Sequence, residues 1–185
     1  ELSSSIALSS SFSIRQFPRS EPISLINWPT SSVGGIANYR AASLFMHFFT
    51  EHFGGRSDLK ALLAQPEDSI AGIDAYLDEI GYDERFEDVF RLWTVANILD
   101  RDIKDGDALL GYRELDVRAT ISGSIRGFKE ARSKIPQYAI EYTELRSISG
   151  PLTLSFQGPT TVPLLPVDVG PSGCWWSNSG DSIDA

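Results

Sequence analysis

The chain has 185 residues, 42% of them hydrophobic, with a formal net charge of −9 and an isoelectric point near 4.7. Such acidity argues against a nucleic-acid binder, which needs a lysine and arginine surplus on one face, and against docking on an anionic membrane. Cys174 is the only cysteine, so no internal disulfide can form, and no run of about 18 apolar residues marks a membrane-inserted helix.

In chain order, the first half reads helical. The opening "ELSSSIALSS" suits the tail of a helix, and no signal peptide is visible; with Glu1 in first place the chain reads as a processed product or a fragment. Residues 15–35 are rich in proline, serine and glycine, with Trp28-Pro29 and Gly34-Gly35 as breakers, and read as a loop. A helix is predicted over 37–53, where Ala41, Phe45, Phe48 and Phe49 form one stripe and Gly54 and Gly55 supply the cap. Ser57 is placed to cap a short helix that Pro66 stops. Ile70, Ile73, Leu77 and Ile80 mark a third helix ended by Gly81. Asp83 is placed to cap a fourth over 84–99, with Phe86, Phe90, Trp93 and Ala96 or Asn97 inward. Short links between four such faces imply mutual packing, with Trp93 between the fourth helix and that of 37–53.

The character changes after Asp100. "DRDIKDGDALLGY" fails as a calcium loop, because Lys104 takes a ligand position and Gly106 falls one place late. It reads as a solvated acidic linker. Alternation then puts Tyr138, Ile140 and Tyr142 on one strand face, and Leu152, Leu154 and Phe156 on another. The link "RSISGP" predicts that 138–156 folds as an antiparallel hairpin. "TTVPLLP" suits an edge or a crossing loop, and Trp175 and Trp176 read as core. The expected class is α+β: helices over 1–102, a linker and irregular segment over 103–137, and strands over 138–185.

Both histidines lie in "LFMHFFTEHFGG". A zinc-protease helix carries its histidines at i and i+4, roughly 40° apart at about 100° per residue. His47 and His52 are five apart, hence separated by roughly 140°. Glu51 precedes the second histidine instead of following the first. On this spacing neither histidine belongs to a two-histidine zinc site; this chain alone is expected to hold no zinc, so replacing either histidine is expected to leave zinc affinity unchanged. Cys174 has no neighbour to activate it as a nucleophile. Asn178, Asp181 and Asp184 offer oxygens for calcium, although a hydrogen-bonded turn around Gly180 accounts for them as well.

Two stretches carry a resemblance. "YRAASLFMHFFTEHFGG" followed by "GIDAYLDEIGYDERFEDVFRLWTVANILD" resembles the downstream half of a gluzincin-like zinc metallopeptidase catalytic domain. "LTLSFQGPTTVPLLP" followed by "CWWSNSGDSIDA" resembles the segment after the catalytic domain in secreted bacterial peptidases of the immune inhibitor A type, where it opens a β-sandwich domain. The resemblance implies an extracellular zinc-dependent endopeptidase acting on peptide or protein substrates. Its H-E-x-x-H helix is absent from this sequence and is expected upstream of Glu1. It further implies Glu1 as a candidate metal ligand, by the N-E-G-L-x-E segment of the family, and Tyr39 as a candidate hydrogen-bond donor to a developing oxyanion. A non-catalytic extracellular binding module is the alternative.

Overall fold

The structure, a computed structural model, describes residues 23–29, 32–55, 59–100, 110–117, 119–121, 123–126 and 135–146, together with the strand backbones 153–155, 165–168, 174–177 and 182–184. They form α1 (Ser32–His52), α2 (Leu59–Leu63), α3 (Ser69–Glu79) and α4 (Phe86–Leu99), then β1 (Gly123–Arg126), β2 (Thr143–Arg146), β3 (Thr153–Ser155), β4 (Leu165–Asp168), β5 (Cys174–Ser177) and β6 (Ser182–Asp184). The class is α+β. Two compact units divide the chain: the described residues of 1–122 and 134–142 form a helical unit, and those of 123–133 and 143–185 a strand unit. The helical unit therefore extends beyond 102, and the chain leaves it and returns before its last residues.

Aromatic packing holds the helical unit together. The α1 stripe is buried at Ala41, Phe45, Phe48 and Phe49. Phe45 meets Trp93 edge-on at 5.4 Å between ring centroids and Phe86 at the same distance. Phe49 reaches Tyr76 of α3 at 5.9 Å. Trp93 is 3% exposed, in the place its spacing assigns. The α4 positions Phe86, Trp93, Ala96 and Asn97 are all buried, so the inward side expected from their spacing faces the core.

Several boundaries differ from expectation. α1 begins at Ser32, so Gly34 and Gly35 lie inside its first turn, where glycine costs little because those amides lack intrahelical partners anyway. Arg85, not Asp83, is the N-cap of α4. The Asp88 carboxylate accepts the Arg85 amide at 3.0 Å, and Asp74 of α3 accepts that of Phe86 at 2.7 Å. The α3 end follows the sequence signal. Gly81 has φ +85°, its amide reaches the Asp78 carbonyl, and that of Tyr82 reaches Leu77, a Schellman closure. Ser57 lies outside the described residues.

The predicted hairpin over 138–156 does not form. Tyr138 to Tyr142 belongs to the helical unit, with a single bridge between Ser24 and Ala139. Tyr138 and Ile140 pack on the core, and the Tyr142 hydroxyl donates to the Thr94 carbonyl at 2.7 Å. The inward face was legible, but a positive φ of 52° at Tyr138 breaks the ladder. β2 pairs in parallel with β1, β3 antiparallel with β6, and β4 antiparallel with β5. Pro166 sits opposite Trp176 within the two-stranded β4–β5 pair, an edge position among the described residues that a residue without an amide hydrogen tolerates.

Candidate metal centre

α1 ends in a polar run that receives the segment 110–117. Asp100, the left-handed C-cap of α4, accepts the amides of Tyr112 at 3.3 Å and Val117 at 2.7 Å. The Ala119 amide donates to the Asn97 carbonyl, and the Tyr112 hydroxyl to the Asn97 side chain. From α1, Glu51 Oε2 accepts the Arg113 amide at 3.0 Å, and His52 Nε2 donates to the Gly111 carbonyl at 2.9 Å. Tyr112 packs edge-on against Phe48 at 5.9 Å. Leu110, Tyr112 and Val117 are buried, so the end of the expected solvated linker is instead a docked strap. Burial pushes the Tyr112 and Tyr142 phenols far up, which keeps both protonated as donors.

With its neighbours held on both sides, Glu114 is brought to α1. One ligand atom each from His47, Glu51 and Glu114 lie within 4.8 Å of one another. His47 Nε2 and Glu51 Oε1 are 2.9 Å apart, one helical turn separating the residues. Both atoms are buried, and neither has an aligned hydrogen-bond partner, despite that short approach. No other such cluster of histidine, cysteine and carboxylate groups occurs among the described residues.

The two histidines are engaged separately. His47 turns to Glu51 and its ring lies 6.3 Å from that of Tyr112, whereas His52 stacks near Phe48 at 4.6 Å and spends Nε2 on Gly111. With no H-E-x-x-H in the sequence and no convergence of its two histidines, the residues present do not fit the two-histidine zinc site that the resemblance implies. The spacing of His47 and Glu51 at i, i+4 was visible in the sequence; Glu114 was not, because only the strap brings it there.

Desolvation, opposed by the bond to Gly111, holds the His52 imidazole below its ordinary value. As pH falls through about 6.5 the unfolded chain takes up a proton that the folded chain refuses. Stability is therefore expected to drop on acidification from there until the folded imidazole also protonates. Urea unfolding between pH 7.5 and 5.5 checks this against His52→Gln, which keeps a donor for Gly111 and should remove that part of the slope; an unchanged slope would contradict it.

Of the other sequence candidates, only Tyr39 has a described side chain. Tyr39 is 66% exposed and its ring meets Trp28 edge-on at 4.5 Å. Ile36, one turn earlier on α1, and Ile26 are exposed as well. Glu1, Asn178 and Asp181 lie outside the described residues, and Cys174, Trp175, Trp176 and Asp184 are described only as strand backbone. No helix among the described residues is long and apolar enough to cross a membrane. No family model, curated protein or solved structure matches the chain.

Proposed function

We propose that this chain is the helical downstream part of the catalytic domain of a secreted zinc-dependent endopeptidase, followed by the start of a β-sandwich domain. The observation that carries the reading is Tyr39. Tyr39 lies on the side of α1 turned away from the Ala41, Phe45, Phe48 and Phe49 stripe. It stands out beside Trp28 and Ile36, an apolar wall suited to an extended peptide, with its phenol able to donate a hydrogen bond where charge develops on a carbonyl oxygen. The rest of the motif supplies the rigid floor: Phe86, Trp93 and Ala96 fix α4 against α1. The catalytic metal is assigned to residues beyond this sequence.

The same wall would serve a non-catalytic module that binds an apolar peptide, and the two readings separate on turnover. In the longer protein that carries this chain, Tyr39→Phe is expected to lower kcat by about 10²–10³ with KM little changed, the usual cost of losing one oxyanion donor. Equal kcat for the two proteins would remove Tyr39 from catalysis, and binding without cleavage would favour the module.

A further inference from the structure

We propose that His47, Glu51 and Glu114 bind a divalent first-row transition ion that fastens the 110–117 strap to the end of α1. This inference does not rest on the peptidase reading. The Glu51 side chain is only 8% exposed, and His47 is 20% exposed at its side chain. A carboxylate so removed from water needs a partner for each oxygen. Oε2 has one in the Arg113 amide. Oε1 lies 2.9 Å from Nε2, within ion-pair distance but without the alignment of a hydrogen bond. Two atoms that share one ion at about 2.0–2.2 Å stand roughly 3 Å apart at right angles and roughly 3.4 Å apart in a tetrahedron, so this pair needs to open only by about half an ångström to act as neighbouring ligands. Glu114 is exposed and its long side chain can close the remaining gap within the 4.8 Å spread.

One imidazole with two carboxylates selects the class of ion. Calcium and magnesium prefer oxygen-only sets, whereas zinc and its first-row neighbours accept nitrogen together with oxygen. Two carboxylates also balance a dication when the imidazole is neutral, and the geometry leaves a coordination position for water. The spacing of the two histidines had led to the opposite expectation for His47, because it tests His47 against His52 and not against Glu51.

The test is calorimetric titration of the 185-residue chain with Zn²⁺, paired with thermal unfolding in the presence and absence of the ion. One Zn²⁺ per chain is expected, not displaced by millimolar-range Ca²⁺ or Mg²⁺, with a higher unfolding temperature when bound. Glu51→Gln keeps an oxygen for Arg113, so it should fold; it and His47→Ala are expected to weaken binding by at least about a hundredfold, beyond the 10–100-fold typical of groups that only orient ligands. Glu114→Gln should weaken it by about tenfold or more. His52→Gln, which keeps a donor for the Gly111 carbonyl, should leave affinity unchanged. Circular dichroism of each variant verifies the fold. No stoichiometric binding, binding that survives Glu51→Gln or Glu114→Gln in a folded chain, or an equal loss with His52→Gln overturns the assignment.

Discussion

Trp93→Ala is expected to lower the free energy of unfolding by about 3–5 kcal/mol, the range for truncating a buried aromatic. Trp93 is 3% exposed and bridges two helices: Phe45 of α1 meets it edge-on at 5.4 Å, and Phe90 of its own helix lies at 5.7 Å. The hole left by alanine cannot collapse cheaply, because Phe45 is also held by Phe86 and Phe49. Chemical denaturation followed by far-ultraviolet circular dichroism measures the effect. A loss under about 1 kcal/mol, the size of an ordinary surface change, would mean that α1 and α4 do not meet through this residue.

Gly54→Ala is the second substitution with a large expected cost. Gly54 has φ +105°, a backbone region that a side chain strains. A Cβ there would also collide with the hydroxyl of Tyr76, which is 1% exposed and has little room to retreat. Left-handed strain of about 1–2 kcal/mol and overpacking of about 1–3 kcal/mol together predict a loss of roughly 2–5 kcal/mol. The same denaturation experiment measures it, and a neutral outcome would place the α1 end differently from the turn seen at Gly54. Gly81 offers the internal comparison: its φ is +85°, yet a Cβ there would meet nothing, so Gly81→Ala should show the strain without the collision.

The helical core was legible because its signal is local. Ala41, Phe45, Phe48 and Phe49 recur at helical spacing, as do Phe86 and Trp93, and burial follows directly from that period. The strap was not legible. Leu110, Tyr112 and Val117 are buried only because Asp100, Glu51 and His52 offer acceptors and a donor to its backbone, and nothing near residue 110 in the sequence announces partners on two helices. Strand pairing failed for a related reason. Tyr138, Ile140 and Tyr142 alternate as a strand would, but their inward face is satisfied by the helical core, and only Thr143–Arg146 joins a ladder, in parallel with Gly123–Arg126. Two of the three residues of the candidate cluster could have been found: His47 and Glu51 are one turn apart on a predicted helix, and asking which carboxylates, as well as which histidines, share a face with His47 would have picked out the pair.

The peptidase reading requires a longer protein that carries this chain, and it is tested most directly by assaying such a protein against an unstructured polypeptide, with metal content determined before and after a strong chelator. The account predicts cleavage at internal peptide bonds that stops when zinc is removed and returns when zinc is restored, with the 185-residue chain inactive in parallel. A purified, folded longer protein that retains a zinc ion beyond the one proposed at His47, Glu51 and Glu114 but cleaves nothing, or cleavage indifferent to the chelator, would contradict it.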